Sequence, residues 1–315
     1  MEHHLLKSAS LVALTLFSGA CALNELGSGC SRANERGGTG TAEVTSSKSA
    51  AADPARNARA REWRQPKRPW ADNTGPYNRK TLMPSEALMI ETDGAVYENI
   101  DVKGDIWIDA DNVTIRNFRI DAAGEYYGIK VLDGHRGVLL EDGEIFGMTS
   151  AGVLGVGYTA RRLHIHDSSG DGMKAEGESP VPTVVEYCFI EKLGSSEEAH
   201  ADGNQTRGGA NITFRYNNIF LPSPGTPKYP GLPYKSNAAF MLELGITNFV
   251  IEHNWLTGGS YTIYCGTDDG GVSVRNNVFG RDNDGLQEGK EGRHLVDGKC
   301  DEWKGNVWED TGGPA

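Results

Sequence analysis

The chain has 315 residues, of which 41 are glycine, a composition that suits a backbone that turns every few residues. Residues 71–315 contain 21 basic and 37 acidic residues, a net charge of −16, which argues against nucleic acid as a partner of the folded part. No apolar run of 18 or more residues follows the N-terminus, so the sequence predicts no internal transmembrane span.

The first 20 residues have the pattern of an export signal. Residues 11–17 are apolar and follow Lys7, and Ser18, Gly19 and Ala20 are the small residues that a signal peptidase requires. Cys21 comes directly afterwards, which leaves two alternatives open. Either Cys21 is lipidated and attaches the protein to a membrane, or the protein is simply secreted. In both cases we expect an exported protein that faces the periplasm or the exterior.

Residues 21–70 have the composition of a linker. They are rich in Ser, Thr, Ala, Gly and Arg and contain almost no large apolar residues. Such a segment cannot bury enough surface to become ordered, so we predict a disordered linker over 21–70. Residues 71–315 are predicted to form the single folded domain.

The folded domain contains a frame of eight residues that occurs seven times. The copies begin at Val113, Val138, Tyr158, Thr183, Ile212, Phe249 and Val272. Positions one, three and eight of the frame are almost all apolar, as in a strand that buries one face. A strand pattern that recurs every 20–37 residues is typical of a solenoid in which each repeat forms one coil. We predict an all-β, right-handed parallel β-helix, in which residues 75–108 form the N-terminal cap and the first coils.

Two further frame positions support stacking of the copies. The fourth position alternates in sign without a break, through Arg116, Glu141, Arg161, Glu186, Arg215, Glu252 and Arg275. Equivalent residues of successive coils lie about 4.8 Å apart, where opposite charges attract. We therefore predict a solvent-facing charge ladder. The sixth position is Asn in the last three copies, which predicts a ladder of stacked asparagines.

A second strand is predicted in each coil between the copies of the frame. Aligning these strands by their alternation predicts one outward row of side chains, formed by Lys130, Leu154, Lys174, Gln205, Met241 and Tyr264. The next outward position contributes Glu176, Arg207 and Glu243 on three successive coils. The two loops that follow Ile190 and Ile219 are unusually long and should form a wall beside this row, on the face where solenoids often bind ligands.

Several stretches resemble a known superfamily. The frame, the asparagines and the segment ADGNQTRGGANITFRYN (residues 201–217) resemble the pectate-lyase-like superfamily of right-handed parallel β-helix proteins. The similarity covers residues 75–312 and is specific for the fold. It implies an extracellular polysaccharide as the substrate of a lyase, a hydrolase or an epimerase. The catalytic motifs of pectate lyases are absent, and of the polygalacturonase motifs only Asp268-Asp269 is present, so the resemblance does not assign the reaction.

The candidate site is predicted at the middle coils of the outward row. We expect Lys174, His200, Asp202 and Arg207 to be catalytic, since a lysine or arginine can abstract the proton beside a uronate carboxyl. Substrate-binding residues are expected to be Gln205, Lys130 and Tyr264, together with Tyr229 and Tyr234 of the second long loop, because tyrosine rings are suited to stacking on sugars.

Three functions remain open at this point. A lyase is slightly favoured, in which Glu176 and Glu243 help to bind a Ca²⁺ ion that neutralises the substrate carboxyl. A hydrolase would instead use Glu176 and Glu243, about 9–10 Å apart across two coils, as its acid and base. The third alternative is a non-catalytic glycan-binding surface protein. Arg207 between the two glutamates also fits a plain ion-pair ladder.

The remaining predictions concern cysteine, histidine and assembly. In an oxidising compartment Cys265 and Cys300 are expected to form a disulfide that links the C-terminal tail to the last coil. Cys188, at the sixth frame position, is expected to be a buried thiol. His164 is expected at the surface and His166 in a turn. We expect a monomer.

Overall fold

The computed structural model describes residues 53–62, 67–196, 199–222, 235–266, 271–281 and 296–315. These residues form one α-helix, α1 (Pro54–Glu62), a short 3-10 helix (Arg79–Thr81) and 21 strands. The strands are β1 (Met83–Ile90), β2 (Val96–Ile108), β3 (Thr114–Asp121), β4 (Tyr127–Val131), β5 (Val138–Phe146), β6 (Ala151–Leu154), β7 (Tyr158–Arg161), β8 (His164–His166), β9 (Asp171–Lys174), β10 (Thr183–Glu186), β11 (Phe189–Glu191), β12 (Ala201–Arg215), β13 (Asn218–Leu221), β14 (Ser236–Glu252), β15 (Trp255–Gly258), β16 (Ile263–Gly266), β17 (Val272–Arg275), β18 (Val278–Gly280), β19 (Val296–Gly298), β20 (Glu302–Lys304) and β21 (Val307–Trp308).

The strands stack in parallel as a β-helix with three faces, which we call sheets A, B and C. Sheet A contains the first half of each frame, from 96–98 through β7, β10 and β17 to β20. Sheet B contains the second half, from 83–86 through β8, β11, β13 and β15 to β21. Sheet C contains the strands between frames, from 88–90 through β4, β6, β9 and β16 to β19. The predicted parallel stacking is confirmed.

The fifth residue of each frame makes the corner between sheets A and B. This position has a positive φ of 47–57° in all seven copies, at Asn117, Asp142, Arg162, Tyr187, Tyr216, His253 and Asn276. The left-handed conformation reverses the side-chain alternation at one residue, so that position three and position eight both point inward. The inward residues at position eight are fully buried and form a continuous column of Ile120, Ile145, Ile165, Ile190, Ile219, Leu256 and Phe279.

The predicted charge ladder is present in sheet A and is longer than expected. Each pair of adjacent rungs from Arg116 to Arg275 is in strand register. Glu98 adds one further rung before Arg116, because its Oε1 lies 3.0 Å from Nε of Arg116. The expectation that the whole ladder faces solvent is wrong, because Glu141 and Glu186 are buried. Helix α1 approaches Glu141, with Arg56 at 4.0 Å from its carboxylate.

The asparagine ladder is also present and gains one member. Oδ1 of Asn254 accepts hydrogen bonds from the backbone N and the Nδ2 of Asn217, at 2.9 and 3.0 Å. The same pair of bonds links Asn254 to Asn277 and Asn277 to Asn306. Asn306 was not anticipated, because it follows the last recognised frame. The ladder satisfies amides at the corner where no strand partner is available.

A column of glycines lies where sheet C starts and packs against sheet B. A Cβ atom added to Gly152 would lie 2.7 Å from both the carbonyl oxygen of Gly172 and Cγ2 of Ile165. A Cβ atom added to Gly172 would lie 2.6 Å from both the carbonyl oxygen of Gly203 and Cγ2 of Ile190. A Cβ atom added to Gly203 would lie 2.6 Å from both the carbonyl oxygen of Ala239 and Cγ2 of Ile219. Only glycine fits at these three positions, which explains why the predicted strands of sheet C on these coils begin with it.

Part of the segment that was predicted as a linker is folded against the β-helix. Helix α1 begins after Asp53, whose Oδ1 accepts from the N of Ala55 at 2.8 Å, a typical N-cap that is followed by Pro54 at the first helical position. Arg59 donates to Oδ1 of Asp142 at 3.3 Å and to the carbonyl of Gly75 at 2.8 Å. The composition suggested a tether, but charge pairing with the acidic domain orders this helix.

Residues 67–81, which we call the crossing segment, lie over the outer face of sheet B. At one end Arg68 pairs with Glu309 of the last coil, and Trp70 packs edge-on against Phe189 and Phe220 at 5.3 and 5.6 Å. At the other end Asn78 exchanges two hydrogen bonds with Asn117, at 3.0 and 3.1 Å. The linker prediction therefore ends too late, since residues 67–70 already belong to the domain.

The two cysteine predictions within the described residues agree with the structure. Cys265 and Cys300 form a disulfide between sheet C and the C-terminal tail. Cys188 is a free, buried thiol, and its burial raises its pKa to about 12. None of the helices among the described residues has the length and apolar character needed to span a membrane.

Candidate functional site

The predicted outward row exists on sheet C. Lys130 pairs in register with Leu154, Leu154 with Lys174, and Met241 with both Gln205 and Tyr264. The row also has an aromatic member that sequence reasoning missed. Trp107 is the register partner of Lys130, whose Nζ lies 4.5 Å from the centre of the indole ring. The residues 106–108 have the same Ile-x-apolar pattern as β4, and this signal was overlooked because Trp107 precedes the first frame.

Two carboxyl groups lie side by side at the start of this face. Asp171 begins β9 and Asp202 takes the equivalent place in β12, since Asn204 pairs with Met173. Oδ1 of Asp171 accepts a hydrogen bond from the backbone N of Asp202 at 2.7 Å. Both side chains are buried, and Asp202 is only 1% exposed. Asp171 was not among the predicted site residues, but the structure makes it the partner of one.

Burial shifts the pKa values of both carboxyl groups upward. The pKa of Asp202 lies well above its ordinary value because of burial, and the neighbouring Asp171 raises it further. The pKa of Asp171 is raised by burial, although the hydrogen bond from Asp202 and the charge of Lys174 oppose this. Two adjacent buried carboxylates repel each other, so the pair retains a proton under conditions in which exposed aspartates have lost theirs.

Polar side chains of the outward row connect the pair to the surface. Nζ of Lys174 lies 3.3 Å from Oδ2 of Asp171. Nδ2 of Asn237 donates to Oδ1 of Asp202 at 3.0 Å, and Nε2 of Gln205 approaches Oδ2 at 3.5 Å. The hydroxyl of Tyr264 lies 3.5 Å from Oδ1 of Asn237. The structure therefore brings together Lys174, Asp202, Gln205 and Tyr264 as predicted, and adds Asp171 and Asn237.

Other predicted site residues do not join this network. His200 is exposed at the edge of the face. Nε of Arg207 lies 3.3 Å from the carboxylate of Glu243, and the backbone N of Arg207 donates to Glu176 at 3.2 Å. Arg207 and Glu243 therefore form an ion pair, and Glu176 is bound to the backbone of the same arginine. Among the described residues, neither glutamate belongs to a cluster of three His, Cys, Asp or Glu side chains that could share a metal ion, and the Ca²⁺ site stays a prediction.

Three predicted functional residues lie outside the described residues. Tyr229 and Tyr234 belong to the undescribed part of the second long loop, and Cys21 precedes the first described residue, Asp53. Their roles stay predictions. An open depression lined by Asp133, residues 177–180 and Gly134 lies where sheet C leads into sheet A. Neither carboxyl group of the pair lines this depression.

A second cluster of ionisable groups lies on the outer face of sheet B. Glu144 in β5 is the register partner of His164 in β8, and His166 lies two residues further on the same face. His164 was expected at the surface and His166 in a turn. Both expectations are wrong, because both residues are in β8 and their side chains are only 9% and 13% exposed. A Cβ added to Gly75 would lie 3.7 Å from Cβ of His164.

Burial and mutual hydrogen bonds shift the pKa values of all three residues of this cluster. Burial would raise the pKa of Glu144, but hydrogen bonds with His166 and Arg79 lower it far below its usual range. Burial lowers the pKa of His164. Burial also acts to lower the pKa of His166, but its hydrogen bonds to Glu144 and Asp167 outweigh this and raise it.

The raised pKa of Asp202 predicts a pH dependence of stability. The unfolded chain releases this proton near pH 3.9, whereas the folded protein retains it to a higher pH. We therefore expect the contribution of Asp202 to the free energy of unfolding to decrease as pH rises from about 4 to the raised pKa, by up to about 1.4 kcal/mol per pH unit. Urea unfolding at several pH values measures this. Asp202→Asn should reduce the slope, since the raised pKa of Asp171 also contributes to it, and the exposed control Asp72→Asn should retain the wild-type slope. Equal slopes in Asp202→Asn and wild type would contradict the assignment.

Comparison with known proteins agrees with the architecture. A family model described as the right handed beta helix region matches residues 100–279, which is more than half of the chain. No curated protein and no solved structure matches the chain. The match and the stacked parallel strands confirm the predicted fold class and the resemblance to pectate-lyase-like proteins at the level of fold. The chain belongs to the family of right-handed parallel β-helix proteins.

Proposed function

We propose that this protein is an exported, polysaccharide-active β-helix enzyme whose acid–base pair is Asp171 and Asp202. The observation that carries the proposal is the buried carboxyl pair with upward-shifted pKa values. A general acid is most effective when its pKa lies near the working pH, and burial together with a neighbouring carboxylate is the usual way to raise it. The pair lies at the sheet C face, where β-helix coils present a continuous surface to a chain-like ligand.

The surface above the pair has the chemistry of a glycan site. Gln205 and Lys174 offer hydrogen-bond donors, while Trp107 and Tyr264 offer flat rings at either end of the row. Lys174 lies three rungs from each ring, about 14 Å at the usual strand spacing. Aromatic rings bind the apolar faces of sugars and polar groups fix their orientation. The row therefore supports a polysaccharide that lies along the helix axis.

The arrangement favours hydrolysis over β-elimination. An elimination base must first give up its proton, but the ammonium group of Lys174 is ion-paired with Asp171 at 3.3 Å. Hydrolysis requires one protonated and one ionised carboxyl group, which two coupled aspartates provide. Glu176 and Glu243, the carboxylates that were predicted for this role, are instead engaged with Arg207.

The test combines substrate cleavage with a variant that preserves shape. Purified protein is incubated with neutral and acidic polysaccharides, and both reducing ends and unsaturated uronate absorbance are followed. We expect new reducing ends without unsaturated uronate. Asp202→Asn should lose on the order of 10²-fold or more in rate while its unfolding free energy at neutral pH is no lower than that of wild type.

The controls separate a catalytic pair from a merely structural one. Asp72→Asn removes an exposed carboxylate and should retain the wild-type rate. Full activity of Asp202→Asn on a substrate that the wild type cleaves would show that the pair only joins two coils. A stoichiometric rise in unsaturated uronate would establish β-elimination and reject the hydrolase. Absence of cleavage of any polysaccharide would contradict the enzyme assignment and favour a binding protein.

A further inference from the structure

The histidine cluster of sheet B, formed by Glu144, His164 and His166, has the composition and geometry of a metal site. One donor atom of each residue lies within 4.8 Å of the donor atoms of the other two. The imidazole rings of His164 and His166 are 4.1 Å apart. Nε2 of His166 lies 3.3 Å from Oε1 of Glu144. Among the described residues, these three side chains form the cluster of His, Cys, Asp or Glu groups that is close enough to share a metal ion.

Aromatic stacking fixes the orientation of both imidazole rings. His166 stacks on Phe146 of the preceding coil at 5.4 Å with an interplanar angle of 8°. His164 stacks on Phe189 of the following coil at 5.2 Å with an angle of 19°. Each imidazole ring is therefore fixed by a phenylalanine of an adjacent coil. Metal sites need such ligands, whose rotamers are locked by packing.

Asp167 supplies the outer contact that a metal-binding histidine normally has. Its Oδ2 lies 2.6 Å from Nδ1 of His166. A carboxylate on one ring nitrogen fixes the tautomer and directs the lone pair of the other nitrogen to the metal. Here the other nitrogen is Nε2, which faces Glu144. Glu191, at 3.0 Å from Nε2 of His164, adds a carboxylate at the edge of the cluster.

We propose that Glu144, His164 and His166 bind a divalent transition metal ion, for which Zn²⁺ is the best match, with Asp167 as the residue that orients His166. Two imidazoles and one carboxylate are a frequent ligand set for Zn²⁺ and related ions. Ca²⁺ and Mg²⁺ prefer sets made only of oxygen. The site lies on sheet B and is independent of the polysaccharide proposal, which concerns sheet C.

Arg79 of the crossing segment competes with the metal for Glu144. Its two terminal nitrogens donate to the two carboxylate oxygens at 2.7 and 2.9 Å, and Nε of Arg119 lies 3.3 Å from Oε2. The side chain of Arg79 is 52% exposed, so it can move into solvent when a cation replaces it. Removal of Arg79 should therefore tighten metal binding.

The experiment uses the full chain after treatment with a chelator. Zn²⁺ is titrated by calorimetry, and Co²⁺ is added in parallel because its visible absorption reports coordination by protein ligands. We expect His166→Gln and Glu144→Gln to weaken binding at this site by at least about 100-fold, and Asp167→Asn by about 10-fold or more. Arg79→Ala should strengthen it. The chain has eight histidines, so His253→Gln controls for the loss of a histidine elsewhere and should leave both titrations unchanged.

The opposite signs of these effects make the test decisive. If the cluster is only a charge network, Arg79→Ala has no effect on Zn²⁺ affinity, and His166→Gln binds as many equivalents as the wild type. Either result overturns the proposal. Should the buried variants not fold, as judged by circular dichroism, Arg79→Ala and Asp167→Asn still decide it, because both side chains are substantially exposed.

Discussion

Replacement of Asn254 by alanine is expected to lower the free energy of unfolding by about 3–5 kcal/mol. The side chain is fully buried and joins three coils. Its Oδ1 accepts two hydrogen bonds from Asn217, and its Nδ2 donates to Oδ1 of Asn277 and to the carbonyl of Phe214, at 3.0 Å each. Alanine leaves the backbone N–H of Asn217 and the carbonyl of Phe214 without partners. Each unsatisfied buried group costs about 1–3 kcal/mol.

Urea unfolding of the wild type and of Asn254→Ala measures this loss. The matched control is Asn57→Ala, the same chemical change at an exposed position of helix α1, which should stay within about 0.5 kcal/mol of the wild type. If the two variants were equally stable, the ladder would contribute nothing beyond the strand hydrogen bonds.

Removal of the disulfide in the double variant Cys265→Ser/Cys300→Ser is expected to cost about 3–4 kcal/mol. The two cysteines are separated by 35 positions, and a link of this length restricts the unfolded chain by about that amount. The link joins β16 of sheet C to the tail just before β20, so its loss should weaken the C-terminal coils first. Urea unfolding measures the total effect, and hydrogen exchange locates it.

Reductant provides the internal control for the disulfide. It should lower the stability of the wild type to about that of the double variant and leave the double variant unchanged. A wild type that is insensitive to reductant under conditions in which free thiols appear would contradict the prediction.

Stacking in this protein was predictable because it depends on a local pattern. The alternation of inward and outward side chains is set within each strand. Residues at the same frame position of two adjacent coils therefore lie side by side, for every pair of adjacent coils. The charge pairs Arg161–Glu186 and Arg275–Glu252 and the row from Lys130 to Tyr264 therefore followed from alignment. Asn306 and Trp107 were missed only because they lie beyond the recognised copies.

Burial of the ladder and of the histidines was not predictable in this way. The crossing segment covers His164 and Glu144 with Gly75 and Arg79, which are 65–89 positions away in the chain. Composition made residues 67–70 look like the end of a tether, and residues 75–81 were predicted only as part of the N-terminal cap. The segment is held by Trp70 and by single contacts between residues more than 100 positions apart, such as the 2.8 Å hydrogen bond from Nδ2 of Asn218 to the carbonyl oxygen of Pro69. A local sequence pattern does not predict such a contact.

The sequence by itself determined the coil and the identity of neighbouring side chains, because a repeated frame places equivalent residues one strand spacing apart. It therefore placed Lys174 beside Gln205 in the outward row. Only the tertiary structure decided that the two carboxyl groups are buried, that Asn237 and Lys174 contact them, and that Glu144 and His164 lie beneath the crossing segment. The physical reason is that burial and pKa depend on which distant segment covers a residue, whereas register depends only on the residues of the strand itself.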